Sequence, residues 1–339
     1  MGGDWAIRGG GYDRGIVTAV TARVPAKVNL QLSVGPPGAD GYHDLVTVFH
    51  ALALFDEVTV TPADTDSVVV TGEGAGSVPQ GPGNLAARAA AALVDAVGPG
   101  VRDAPGLAIE IRKRIPVAAG LAGGSADAAG ALVACNELWG AGLSHAELGE
   151  VAAKVGSDVG FALLGGTAVG LGRGDRVTPA LAAGAYHWVL AFADGQLSTP
   201  AVYAACDRLR ARAGRAGSSE KADPPGPPQL DTALMAALRS GDPAELGPLL
   251  SNDLQPAAVS LMPRLRQALA AGREHGALGA IVSGSGPTCA FLARDGAHAR
   301  DLAIALAGAG VCRTVASVTG PAPGATVISV PAAGGNART

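Results

Sequence analysis

Three short strings hold the residues whose types and spacing could do chemistry. The first, Ile115-Pro116-Val117-Ala118-Ala119-Gly120-Leu121-Ala122-Gly123-Gly124-Ser125-Ala126, joins the end of a predicted strand to the start of a predicted helix. Its glycines leave backbone N–H groups free to surround an anion, which makes the loop a candidate phosphate cradle. It has neither the G-x-x-x-x-G-K-[ST] order of a P-loop nor G-x-G-x-x-G. Gly81-Pro82-Gly83-Asn84-Leu85-Ala86 comes nearest to a dinucleotide fingerprint, but no strand runs into it and a proline stands where the chain should approach a pyrophosphate. In a chain with 50 glycines among 339 residues, the loop taken alone reads equally well as a tight structural turn.

The second string is Pro25-Ala26-Lys27-Val28-Asn29-Leu30. Lysine is scarce, with Lys27, Lys113, Lys154 and Lys221 the only examples among 25 basic residues. Inside an apolar strand a lysine costs solvation energy unless it is paired; the plain alternative is a strand-edge residue whose ammonium reaches water. The third string, Gly156-Ser157-Asp158-Val159-Gly160-Phe161, sets one carboxylate among small and apolar residues just past a helix end. Asp158 there either caps the next helical turn or serves catalysis.

The elements that must position these strings follow from periodicity. Residues 1–17 are glycine-rich and aperiodic and read as a flexible tail. β-branched residues predict strands within 18–34 and 46–61, separated by a Gly/Pro/Asp turn cluster at 35–41. Asn84 is a favoured N-cap for a helix over 85–97. Leu107, Ile109 and Ile111 alternate into a strand that runs straight into the glycine loop. The following helix, over 125–139, is apolar nearly all round, which predicts burial. Ser144 and Glu147 form a capping box for the next. Strands are predicted near 167–171, 186–193, 279–282, 288–293 and 313–318, with helices between 230 and 275 and over 297–307. The run 212–229, rich in Pro, Gly and Ser, reads as a disordered insertion. Strands and helices intermix without a regular βαβ repeat, so the class is α+β. A boundary near residue 180 divides the chain.

Composition narrows the partners. Charged residues are 16% and the net charge is −4, which argues against a nucleic-acid surface and for a small-molecule partner. Cys135, Cys206, Cys289 and Cys312 are far apart with no C-x-x-C pair, against a zinc knuckle, dithiol site or disulfide scaffold. No apolar leader region and no 18-residue apolar span occur in the sequence, so a cytoplasmic protein without a membrane partner is expected.

Taken in order, Pro25 to Leu30, Asp40-Gly41-Tyr42-His43-Asp44-Leu45, the glycine loop continued to Ala129, Gly156 to Val159, and Gly284-Ser285-Gly286-Pro287-Thr288 resemble the GHMP kinase superfamily over about residues 22–319. The resemblance implies a two-domain fold. Its N-terminal nucleotide domain is ribosomal-protein-S5-domain-2-like (18–180) and its C-terminal domain a ferredoxin-like α/β sandwich (181–320), with 321–339 as a tail. It implies ATP-dependent phosphorylation of an alcohol, with magnesium expected. The Tyr42-His43 pair separates this chain from homoserine, mevalonate and galactose kinases. It implies as substrate a cytidine diphosphate conjugate of methylerythritol, phosphorylated on its C2 hydroxyl on a non-mevalonate route to isoprenoid precursors. Rival readings are a homoserine or mevalonate kinase, or a nucleotide-binding regulator without turnover.

Roles attach residue by residue through the same resemblance. Lys27 and Asp158 match the catalytic pair, with Asp158 as general base and Lys27 beside the developing alkoxide. Pro116 to Ala126 match the ATP loop, with Gly120 to Ser125 around the triphosphate. Lys113 stands where a nucleotide-contacting lysine sits, or is one charge in an exposed Arg-Lys-Arg run. Asn84 matches an asparagine near adenine and is equally an N-cap. Tyr42 and His43 match the cytidine-recognition pair, and Tyr203, with Thr199 and Pro200 before it, the aromatic on the other face of the base. Thr199 and Tyr203 read otherwise as a cap and a core aromatic. Asn29 falls near the phosphoryl acceptor, and Gly284, Ser285 and Gly286 form the second glycine loop. Ser125 and Glu150 are the candidate magnesium ligands, since Glu147 is taken by its capping box. Gly160 replaces a usual proline, Ala122 and Ala126 stand where Gly and Ser are common, and Asp44 replaces Glu. None removes a required charge, though the loop is stiffer. A monomer or homodimer is expected.

Overall fold

The computed structural model describes residues 19–102, 104–216 and 226–329. The β-branched runs pair as a long antiparallel hairpin of β1 (Val20–Pro37) and β2 (His43–Ala63), in register from Val20 opposite Val60 to Pro37 opposite His43. β3 (Ser67–Gly72) leads to α1 (Leu85–Val97), where Asn84 accepts from the N–H of Ala86 as the N-cap reading required. β4 (Gly106–Lys113) lies antiparallel to β2 and parallel to β3. Beyond the glycine loop come α2 (Gly123–Leu138), α3 (His145–Val155) with its complete Ser144/Glu147 capping box, and α4 (Val159–Leu164). β5 (Thr167–Gly172) returns to pair with β2, and β6 (Arg176–Pro179) pairs with β5.

α2 is buried on nearly every side, as its composition predicted. Gly130 permits this: a Cβ there would lie 2.8 Å from both Val24 and Val58, so only glycine lets the helix sit this close to the β1–β2 hairpin.

The second half begins with β7 (Tyr186–Phe192), followed by α5 (Thr199–Ala216), α6 (Thr232–Ser240) and α7 (Pro243–Leu246). β8 (Ser251–Asn252), α8 (Gln255–Leu261) and α9 (Arg264–Glu274) precede β9 (Gly279–Val282) and β10 (Cys289–Ala293). α10 (Gly296–Gly308), β11 (Thr314–Gly320) and β12 (Thr326–Ser329) complete the described chain. An antiparallel sheet in the order β11-β7-β10-β9 carries α5, α8, α9 and α10 on one face. On β7, Val189 and Ala191 face those helices, whereas Tyr186, Trp188, Leu190 and Phe192 join the core of the first half. The period-2 alternation of one strand therefore seals two cores at once.

Two expectations need correction. Residues 321–339 were expected as a tail, but Thr326–Ser329 form β12, antiparallel to β1 at Thr21 to Arg23, because the free edge of a core strand needs a partner. β8 pairs with β1 farther along, so the second half supplies two strands to the first sheet. In the expected insertion 212–229, residues up to 216 extend α5, and the carbonyl of Gln229 accepts from Gln31 Nε2 at 2.7 Å. The expected tail 1–17 lies outside the described residues, as do 217–225 and 330–339.

His50 on β2 is fully buried between the sheets, beside Tyr186 and Trp188, with Nδ1 against Thr167 Oγ1 at 2.8 Å. Burial pulls its pKa from 6.5 down to about 3. The unfolded chain takes up this proton below about 6.5 and the native chain only near 3, so stability falls as the pH falls through that window, by about 1.4 kcal/mol per pH unit. Urea unfolding at pH 6.5 and pH 5 should show a drop about 2 kcal/mol larger for the wild-type protein than for His50→Gln. Equal drops would show that His50 does not set the acid limit.

Candidate active site

Lys27 and Asn29 lie two apart on β1, hence on one face of the strand, and both line a cavity of about 540 Å³. Lys27 Nζ donates to Asn29 Oδ1 at 2.7 Å and to the carbonyl of Gly120 at 2.9 Å, and lies 4.0 Å from Asp158 Oδ2. Asn29 is itself oriented, since its Nδ2 donates to Thr47 Oγ1, which donates to the carbonyl of Gln31. Burial pulls the Lys27 ammonium below the usual lysine range, and the charge of Asp158 works against that shift. Asp158 occupies the N-cap position of α4 but makes no capping hydrogen bond. With 28% of its side chain exposed, Asp158 lines the cavity. The capping alternative is thereby excluded.

The glycine loop bounds the same cavity. α2 starts at Gly123 behind an N-cap, Ala122, held at φ 57° with no side-chain cap. The N–H groups of Gly123, Gly124 and Ser125 donate to no protein atom among the described residues, and all three residues line the cavity. An uncapped N-terminus of a 16-residue helix suits phosphate oxygens. Ala118, at φ 52°, and Ala122 are non-glycine residues in the left-handed region, each costing about 1–2 kcal/mol. Surrounding contacts hold that strain. Leu121 accepts from the backbone of Lys27, Ala119 from the backbone of Thr288, and Gly120 from Ser283 Oγ at 3.0 Å as well as from Lys27 Nζ. A Cβ on Gly120 would lie 2.1 Å from the carbonyl of Ser283, so the loop around Gly284, Ser285 and Gly286 backs directly onto the first.

Beneath the loop Lys113 is 3% exposed, which corrects the reading of an exposed basic run. Its Nζ donates to Asp56, to Asp127 at 2.7 Å and to the carbonyl of Gly123 at 3.2 Å. Burial works against this ammonium, but the two carboxylates overcome it and hold the Lys113 pKa above the usual range. Burial also pushes Asp127 up, and Asp56 accepts from the N–H groups of Arg114 and Ile115 as well. Lys113 thus anchors the loop from below. Beside it, Asn84 completes its cap and donates to the carbonyl of Pro79, and Asn84, Lys113, Val117 and Gly123 line a separate 260 Å³ pocket.

A larger cavity of about 810 Å³ opens at the other end and shares Ser157, Arg173, Thr199 and Tyr203 with the first. His43 Nε2 meets Asp207 Oδ1 at 3.0 Å, and its ring centroid is 5.0 Å from that of Tyr203. Burial, aided by the charge of Asp158, pushes the Tyr203 phenol up. Tyr42, 58% exposed, lies under the guanidinium of Arg173 at 3.7 Å. Thr199 Oγ1 pairs with Ser285 Oγ at 2.9 Å, tying α5 to the second glycine loop.

The structure also separates some expected residues from the cleft. Leu121 and Ala126 are 1% exposed and pack into the core, leaving only their backbone for a ligand. Pro116 lines a different cavity, behind the loop, and Val117 lines both that cavity and the 260 Å³ pocket beside Asn84. Glu150 sits on the exposed side of α3 and lines neither cleft cavity, so it is corrected as a magnesium candidate. No group of three His, Cys, Asp or Glu side chains arranged for a metal occurs among the described residues. Magnesium bound to nucleotide keeps waters and phosphate oxygens in its shell, so one hydroxyl at the cradle, that of Ser125, fits that mode of binding. Sequence reasoning missed Asp56, Asp127, Arg173, Asp207 and Ser283. Asp207 carried a signal, four residues after Tyr203 and so on the same helical face.

A sheet-backed glycine loop opening an uncapped helix, with an ammonium–carboxylate pair across the cleft, defines a small-molecule kinase of the GHMP class. The family described as GHMP kinases N terminal domain matches residues 84–166, and that described as GHMP kinases C terminal matches residues 234–311. The chain belongs to the family of 4-diphosphocytidyl-2-C-methyl-D-erythritol kinases. It is 56% identical to the protein of that name from Mycolicibacterium smegmatis over 93% of this chain and 94% of that one. It is likewise 56% identical to the one from Nocardia farcinica, over 92% and 97%. A crystal structure of 4-(cytidine 5'-diphospho)-2C-methyl-D-erythritol kinase aligns with TM-score 0.69 at 35% identity, covering 88% of this chain and 98% of the other. Homoserine kinase from Cytophaga hutchinsonii shares the fold, with TM-score 0.67 at 20% identity over 94% of this chain and 99% of its own.

Lys113→Met should leave the buried carboxyls of Asp56 and Asp127 without their shared cation and lower the stability to urea by about 3–5 kcal/mol. A loss under about 0.5 kcal/mol would mark Lys113 as an ordinary surface charge.

Proposed function

We propose that the protein phosphorylates the C2 hydroxyl of 4-diphosphocytidyl-2-C-methyl-D-erythritol at the expense of ATP. One observation carries the reading: two cavities that share Ser157, Arg173, Thr199 and Tyr203 have Lys27 and Asp158 lining one and His43 and Tyr42 lining the other. A homoserine or mevalonate substrate would leave the second cavity without an occupant.

In this reading Asp158 accepts the proton of the acceptor hydroxyl as the oxygen attacks phosphorus. Lys27, held by Asn29 and Gly120, faces the developing alkoxide. The N–H groups of Gly123, Gly124 and Ser125 hold phosphate oxygens at a site organised before the nucleotide arrives. ATP would supply the phosphoryl group, and magnesium, which the Ser125 hydroxyl would help to hold, would offset the phosphate charge. Asn84 and Lys113 flank the nucleoside pocket. At the far end Tyr42 and Tyr203 take the faces of the cytosine and His43 its edge, while Thr199, Ser285 and the flanking Gly284 and Gly286 close the cleft from the second domain. The nucleotide domain corresponds to about 18–180 and the substrate-side domain to 181–320. A cytoplasmic location completes the reading; no helix among the described residues is long and apolar enough to cross a membrane.

ADP release measured with the cytidine conjugate, homoserine and mevalonate should be fast only with the first. Turnover of either other substrate at a comparable kcat/KM would overturn the assignment. Asp158→Asn should lower kcat at least about a hundredfold and leave the ATP Kd within about threefold. Loss of ATP binding in that variant would instead make Asp158 structural.

A further inference from the structure

The substrate assigned above carries two phosphate groups between its base and its reacting hydroxyl, and the residues discussed so far answer neither. Among the described residues three cations line the joined cavities: Lys27 at the reacting end, and Arg173 and Lys154 farther along. Arg173 borders both cavities, so it sits where base and acceptor must be bridged.

Its geometry leaves it available. The turn between β5 and β6 holds its backbone, whose N–H donates to Asp175 Oδ1 at 3.0 Å. The side chain gives only Nη2 to Asp40, at 2.7 Å, in a pair whose members are 52% and 57% exposed. Such an exposed pair contributes little, and Nε and Nη1 have no protein partner among the described residues. The ring of Tyr42 below keeps the guanidinium plane in place. Lys154, in the last turn of α3, is exposed, makes no ion pair among the described residues and lies four residues before Asp158. Of the carboxylates on the walls, Asp207 meets His43 and Asp175 the Arg173 backbone, while Asp158 lies at the reacting end beside Lys27. A planar fork and a mobile point charge are the pair of groups that recognise a diphosphate.

Resting on the substrate reading above, we propose that Arg173 and Lys154 form the subsite for the diphosphate bridge, so that the protein selects nucleoside diphosphate conjugates over the nucleoside itself. The test is calorimetric titration of the full chain with cytidine and with CDP, with ADP and magnesium saturating so that the nucleotide cradle is filled. The wild-type protein should bind CDP at least about tenfold more tightly than cytidine. In Arg173→Gln, and separately in Lys154→Gln, that ratio should fall to about threefold or less, while Arg173→Lys keeps more of it. Using the ratio cancels any effect of the substitution on the base, and Lys154→Gln leaves Tyr42 and Asp40 untouched. An unchanged ratio in both Gln variants, with cytidine still bound, would overturn this subsite alone. Absence of cytidine and CDP binding in the wild-type protein would overturn the substrate reading and this proposal with it.

Discussion

The carbonyl of Gly120 accepts at once from Lys27 Nζ and from Ser283 Oγ, and the rest of the site is built around that point. It joins the glycine loop, the lysine on β1 and the second half of the chain through one oxygen. A side chain at residue 120 would strike the carbonyl of Ser283. The contact therefore demands glycine there and fixes the separation of the two glycine loops. Because the ammonium is held by Gly120 and Asn29, it lies near Asp158 without collapsing onto it. That spacing leaves the carboxylate on the cavity wall.

Charge is handled differently on the two sides of the loop. Below it, Lys113 is closed in by Asp56 and Asp127 and has no solvent to exchange with, so it serves as a fixed floor. Above it, Lys27 is buried against a carboxylate that remains partly exposed. Full pairing in a dry environment gives rigidity, whereas incomplete pairing beside a cavity leaves a field that a ligand can use. Two lysines of one chain thus do opposite work because of how many anions each meets.

Local signals were legible where one residue decides a local structure. Asn84, Ser144 and Glu147 cap as their types require, and the strands of the second half fall close to their alternating runs. The fate of Asp158 was not legible, because a residue at an N-cap position can turn its side chain inward or outward, and only the cavity reveals which. For Lys113 an exposed charge run stayed open beside a nucleotide-contacting role, although the signal against exposure was present. Leu107, Ile109, Ile111, Lys113 and Ile115 share one buried parity, while Arg112 and Arg114 point to solvent. Asp207 and Arg173 reach their partners through pairings distant in sequence, which no local pattern encodes. β12 escaped notice because a four-residue edge strand carries too few alternations to register.

The outer edge of β1 bears on how this protein is made. β1 holds Lys27 and is among the first described segments to be synthesised, yet its edge is closed only by Ser251–Asn252 and Thr326–Ser329. During translation that strand would wait, with an open backbone edge, until Thr326–Ser329 have left the ribosome. The first domain therefore completes its sheet after the second has been synthesised, and the interval is when the nascent chain is most open to pairing with the wrong partner.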